Sequence, residues 1–208
     1  MKKEVISKLG IYKIKKPEEL LKYYQDWTAN NKYNKDMVDW NYTAPQETVS
    51  VLKKYALNKN SKILDAGCGT GLVGIQLKKY DYSNIEGVDF SQSMLDLVPP
   101  NIYQKIEKID LNKPLKFKNN IYDVAMCVGT FTYGHVKPHA LDEIIRITKN
   151  KGLICFTVNE GIYEEYGFDK KIKELTNNKL WNIKEFFKSN YITNKDVEAW
   201  LCLAEIIK

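Results

Sequence analysis

Residues 62–71, KILDAGCGTG, decide the fold. Ile63 and Leu64 read as a short buried strand that ends on an acid, Asp65, and Gly67, Gly69 and Gly71 follow at alternate positions before the next helical pattern. Glycines at such a strand-to-helix turn let the backbone bend tightly and approach a ligand without a Cβ clash. The free N–H groups at the helix start favour a carboxylate or phosphate.

Outward from this loop, short apolar runs alternate with helical patterns. Strands are read at 62–65, 85–89, 103–110, 122–128 and 153–158, and helices at 72–79, 92–97, 138–148 and 162–177. This alternation predicts an α/β domain built on a parallel sheet with helices on both faces. Runs at 180–191 and 197–207 read as an antiparallel pair closing one edge. Upstream, Pro17 starts a helix toward Trp27 and an Asn- and Lys-rich polar stretch follows. Thr43 and Gln46 then have capping-box spacing ahead of an apolar stripe of Val49, Leu52 and Ala56. At 208 residues, without a repeat or linker, the chain is expected to be one domain over 1–208, with 1–42 as a lid segment and 43–208 as the core.

The net charge of +6 raises nucleic acid as a partner, but Arg146 is the sole arginine and the lysines are scattered. Phosphate and base recognition favours the bidentate arginine fork, so nucleic acid is not the expected partner. Cys68, Cys127, Cys155 and Cys202 form no C-x-x-C pair and read as buried thiols. With no run of about 18 apolar residues and no apolar signal segment, a cytoplasmic protein without a membrane span is expected.

Gly69, Gly71 and Gly74 also satisfy G-x-G-x-x-G, with Asp89 roughly 20 residues later, as in dinucleotide sites. In that pattern, however, apolar residues run up to the first glycine, whereas here Asp65 ends the strand and a further glycine intervenes. Asp-x-Gly-x-Gly-x-Gly suits an amino acid joined to a nucleoside. Asp89, ending the second strand, is placed to accept from ribose hydroxyls, with Phe90 and Met94 as apolar surface beside it. Asp110 and Leu111, just past the third, are placed to take an adenine amino group and cover its ring. Each acid alone reads equally well as a loop residue or cap; three consecutive strands ending in acids do not.

On these residues the chain resembles the class I S-adenosylmethionine-dependent methyltransferases over about residues 20–207. It is most similar to the methyltransferase-like group named after the Williams-Beuren syndrome chromosome region. YYQDWTANNKYNKDM, LDAGCGTG, VGTFTYGHV and RITKNKGLICFTVNEGIYEE carry the closer match. The resemblance implies a Rossmann-like seven-stranded, mostly parallel sheet of order 3-2-1-4-5-7-6 with the last strand antiparallel, and S-adenosyl-L-methionine as cofactor. It implies cofactor contacts from Asp65, Gly67, Gly69, Asp89, Asp110 and Leu111, with Trp27 and Tyr33 folding over from the lid; Cys68, Phe90, Met94 and Val128 are the further candidates for binding it. The usual Trp-Ala and Tyr-Asp pairs read Trp27-Thr28 and Tyr33-Asn34 here.

The methyl donor is already activated, so no catalytic motif is obligatory. The segment 128–135 lacks the Asn/Asp-Pro-Pro-aromatic run of base and glutamine amine methylation, and Cys127 follows no proline. The expected acceptor is a small molecule. His135 is the general-base candidate, set against a role as a helix cap. Glu160, Tyr163 and Tyr24 are candidates for lining an acceptor pocket. His135 and His139 lack a third ligand, so no metal is expected. Two other readings remain open: an NAD(P)-dependent oxidoreductase, for which Tyr133 and Lys137 supply a Tyr-x-x-x-Lys pair, and a catalytically idle S-adenosylmethionine-binding regulatory partner.

Overall fold

The computed structural model describes residues 10–14, 16–55 and 58–208. A seven-stranded sheet of order β3-β2-β1-β4-β5-β7-β6 organises the chain. Its strands are β1 (Ile63–Ala66), β2 (Ile85–Asp89), β3 (Lys105–Lys108), β4 (Tyr122–Phe131), β5 (Thr148–Asn159), β6 (Trp181–Ile192) and β7 (Val197–Ile206). The first five strands pair in parallel, and β7 runs antiparallel to both β5 and β6. The expected sheet order and the single antiparallel strand are therefore both present. Helices pack on it: α1 (Pro17–Thr28), α2 (Lys32–Asp39), α3 (Ala44–Lys53), α4 (Leu72–Lys78), α5 (Gln92–Leu95), α6 (Ala140–Ile147) and α7 (Phe168–Asn177).

Burial explains the strand sequences. All four residues of β1 are buried, which is why it reads as an apolar run interrupted only by Asp65. β6, at one edge, alternates instead, with one face wet. At the other edge β3 is short and largely exposed, and Lys105 pairs with Glu107 at 2.7 Å, charges that discourage a further strand from adding there. The chain's one arginine is structural. Arg146 makes a fork to Glu143 (both bonds 2.8 Å) and donates to the carbonyls of Leu115 and Phe117, tying α6 to the loop before β4.

Several boundaries differ from the sequence reading. The third strand covers 105–108 rather than 103–110, because the Tyr103 side chain turns inward to hydrogen-bond Asp65. β4 continues through Phe131, across a register irregularity at Gly129, whose φ is 78°. β5 starts directly after α6, at Thr148. The helix expected from 162 begins at Phe168, after turns that end on Gly167. The 43/46 capping box does not form: the Thr43 hydroxyl donates to the Asn190 carbonyl, because Tyr42 and Ile192 bridge and draw this segment to the end of β6. Val49 and Leu52 are fully buried, and Ala56 lies outside the described residues. The polar stretch after Trp27 folds as α2, turned back by Asn30 and Asn31, which both adopt the left-handed conformation that asparagine tolerates.

Candidate functional site

A cavity of about 140 Å³ opens at the C-terminal ends of β1, β2 and β4, where parallel α/β sheets bind ligands. The glycine loop 67–70 forms its floor, and α1 forms one wall through Pro17, Leu20, Leu21 and Tyr24. Ten of the expected binding residues line it: Tyr33, Gly67, Cys68, Gly69, Asp89, Phe90, Met94, Asp110, Leu111 and Val128.

Asp89 is held by backbone. Oδ2 accepts the Gly69 N–H at 2.9 Å and Oδ1 the Ser91 N–H at 2.8 Å, which leaves remaining lone pairs toward the cavity. Burial pushes its pKa up against those bonds. Gly69 has φ 54°, and a Cβ there would meet only the Met94 Cε, at 3.2 Å, a tight contact that the end of a flexible side chain can relieve. Its Cα therefore borders open space that a side chain would fill. Two acids on one rim, Asp89 and Asp110, with Phe90, Ile109 and Leu111 beside them, are donor-seeking and ring-covering groups in the combination a nucleoside needs.

Two expected contacts lie off this cavity. Asp65 is fully buried; Tyr103 donates to its Oδ2 at 2.6 Å, and Oδ1 has no hydrogen-bond partner. Burial, the largest cause, raises its pKa to about 7, with the Asp89 charge adding and the Tyr103 bond opposing. Trp27 is 7% exposed and packs edge-on against Tyr33 at 4.9 Å, with Nε1 donating to Asp36 at 2.6 Å. It lines a smaller neighbouring cavity instead.

His135 lines the main cavity with both nitrogens engaged. Nδ1 lies 2.6 Å from the Tyr133 carbonyl, which can only accept, so Nδ1 carries the proton. Nε2 is then the acceptor for the Tyr24 hydroxyl at 2.6 Å. Burial lowers the imidazole pKa to about 4. Tyr24, named from the sequence as a pocket residue, thus lines the cavity beside His135. Glu160 and Tyr163 lie outside both cavities: Glu160 accepts the Glu198 N–H at 3.2 Å, and Tyr163 packs on Trp200 at 5.1 Å. The Tyr133–Lys137 pair is not assembled, since Lys137 Nζ sits 3.7 Å over the Tyr166 ring and the Tyr133 hydroxyl is buried without a partner.

Lining residues missed from the sequence include Thr70, Ser91, Asn112 and Thr130. Ser91 had a visible signal, an N-cap residue two positions past Asp89, and it caps α5. Thr70 donates to Asn34 at 2.6 Å, joining the N-terminal segment to the glycine loop at the position where the family pattern has aspartate. Asn112 accepts the Lys137 N–H at 2.9 Å, clasping two loops that no local pattern relates.

A methyltransferase-domain family matches residues 63–152. The chain is 32% identical to human methyltransferase-like protein 27 over 141 residues, 66% of this chain and 56% of that protein. It is 33% identical over 163 residues to an uncharacterized protein of Methanocaldococcus jannaschii, covering 74% of this chain and 68% of the other. The archaeal protein apart, the chain spans about half the length of the curated relatives it matches. A solved protein from Listeria monocytogenes, assigned as an S-adenosylmethionine-dependent methyltransferase, superposes with a TM-score of 0.60 at 15% identity, over 77% of this chain and 98% of that one. The sheet order and the matched domain together mean that this chain carries a methyltransferase domain with the class I fold.

Proposed function

We propose that this chain binds S-adenosyl-L-methionine in the 140 Å³ cavity and transfers its methyl group to a small-molecule acceptor, as a member of the Williams-Beuren-named group. The observation that carries the reading is the meeting of the glycine loop, Asp89 and the Asp110–Leu111 pair around one cavity. When bound, the cofactor supplies an electrophilic methyl on a sulfonium.

The residues present fit that ligand. Gly67, Cys68 and Gly69 would cradle its amino-acid end, Asp89 its ribose, and Asp110 with Leu111 its adenine, flanked by Phe90 and Met94. Val128 borders the end of β4. Tyr33 closes the cavity from α2, and Trp27 braces it from behind. Asp65 acts beneath the loop, through Tyr103. The walls from α1 exclude water, which strengthens every polar contact inside.

Positioning of the acceptor falls to Tyr24 and His135 together. The Tyr24 oxygen can accept a hydrogen bond from an acceptor while its own proton is directed at His135 Nε2. His135 is in this reading the group that orients Tyr24: burial lowers the imidazole pKa to about 4 and holds the Tyr24 hydroxyl well above its ordinary value, so Tyr24 keeps its proton.

Calorimetry tests the assignment. S-adenosylmethionine and its demethylated product, S-adenosylhomocysteine, should both give binding heat. Heat with NAD or NADP and none with either sulfur nucleoside would overturn it in favour of the oxidoreductase reading. Binding without turnover of any acceptor in native extract would leave the idle partner.

A further inference from the structure

Beside the main cavity lies a second, of about 50 Å³, whose wall is aromatic: seven of its twelve lining residues are tyrosine or tryptophan, and none is acidic or basic. Tyr24, Tyr33, Tyr42 and Gly129 line both cavities, so the chamber adjoins the main one at the end of β4, one residue past Val128. The shared wall requires glycine at 129, since a Cβ there would lie 2.4 Å from the Tyr42 hydroxyl.

The chamber also holds an unanswered polar group. Thr132 lines it, is 5% exposed, and its buried Oγ1 lies beside the Tyr12 hydroxyl without making a well-formed hydrogen bond. Buried hydroxyls are nearly always paired, so an unpaired one in a cavity wall points to a ligand atom.

Chemistry narrows the occupant. Ring faces attract a cation within about 6 Å, and in so small a chamber a cation stays within that range. An anion would meet no cationic side chain on the wall. An alkyl group would leave Thr132 unpaired, and a neutral alcohol would pair with Thr132 but gain little from the rings. An alkylammonium does both: its charge faces the rings and an N–H reaches Thr132. The wall carries no carboxylate, so no ion pair locks the bound ammonium, and loss of its proton to solvent gives the neutral amine. That neutral form carries the lone pair a methyl acceptor needs.

We propose that this chamber is the acceptor site and that the acceptor is a small organic amine, an inference that rests on the methyltransferase reading above. The aromatic residues then have a use beyond packing. Trp27 and Trp40 place two fluorophores in the wall.

Trimethylammonium chloride and tert-butanol, of similar size and shape but different charge, are the probes. Each is titrated into the full chain with and without saturating S-adenosylhomocysteine, followed by tryptophan fluorescence at constant ionic strength. Trimethylammonium should give a saturable change and bind at least ~10-fold more tightly than tert-butanol, the advantage expected of a desolvated cation–π contact. Trp40→Leu, outside the cofactor cavity, should weaken it at least ~10-fold and leave S-adenosylhomocysteine affinity unchanged. Thr132→Val is the second variant, and should weaken trimethylammonium with the rings intact. Equal or tighter binding of tert-butanol, or no saturable response to trimethylammonium while S-adenosylhomocysteine binds, overturns the proposal. Failure of the nucleoside itself to bind is read separately, by calorimetry. If trimethylammonium still binds then, the chamber takes amines but is not an acceptor site.

Discussion

The hydroxyl of Tyr24, on α1, lies 2.6 Å from Nε2 of His135, in the loop after β4 and 111 residues away in sequence. With Nδ1 carrying the proton toward the Tyr133 carbonyl, Nε2 accepts from Tyr24, and the contact fastens the cavity's helical wall to the far side of the site. What titrates there is therefore set by burial. His135 should show an NMR titration midpoint near its shifted pKa of about 4. A midpoint near 6.5 would mean that the pair is open to solvent. Because the folded-state pKa lies below the unfolded value of about 6.5, this group contributes stability above pH 6.5 and loses it as pH falls toward 4. The total is on the order of 3 kcal/mol.

Asp65 has the opposite sign. Its folded-state pKa of about 7 lies above the ordinary carboxylate value, so its contribution falls as pH rises from about 4 to about 7. The two slopes oppose each other across the same window. Asp65→Asn keeps an oxygen for the Tyr103 hydroxyl and should unmask His135. Urea unfolding of the variant should show stability rising from pH 4.5 to 6.5, and a gain over the parent at pH 8 on the order of 1–3 kcal/mol. Lower stability than the parent at pH 8 would refute the argument.

Asp89→Asn should weaken S-adenosylhomocysteine binding by about 2–3 kcal/mol, or roughly 30- to 150-fold. An amide must turn its NH₂ toward either Gly69 N–H or Ser91 N–H, both of which Asp89 now accepts. Calorimetry on a folded variant decides it, and unchanged affinity removes Asp89 from the ribose role.

Gly69→Ala should fold, at a cost of about 1–2 kcal/mol for the left-handed backbone, since Met94 Cε can move from the new methyl. Cofactor affinity should nevertheless fall, because that methyl enters the cavity. Intact affinity would place the bound ligand elsewhere.

Hydrogen exchange over residues 20–42 should slow by about tenfold or more when S-adenosylhomocysteine is added, since α1 and Tyr33 wall the cavity. Exchange that is equally slow with and without ligand would make this segment a fixed wall and remove its role as a lid.

The sequence by itself determined the parallel sheet and most of the main cavity's lining. Both are written locally: β1 shows its burial as an apolar run, and Gly67, Gly69, Asp89 and Asp110 each sit at a fixed offset from a strand end. Tertiary structure decided what local patterns cannot carry. Thr43 lost its capping role because β6, some 150 residues later, offers its hydroxyl a carbonyl. Asp65 withdrew from the cavity because Tyr103 folds under the loop to meet it. His135 gained Tyr24 from a helix across the site, and the aromatic chamber gathers side chains from residue 11 to residue 192. Such contacts depend on which elements the sheet order brings together. A single sequence specifies that order through its hydrophobic pattern, but the distant partners become visible only once the chain is folded.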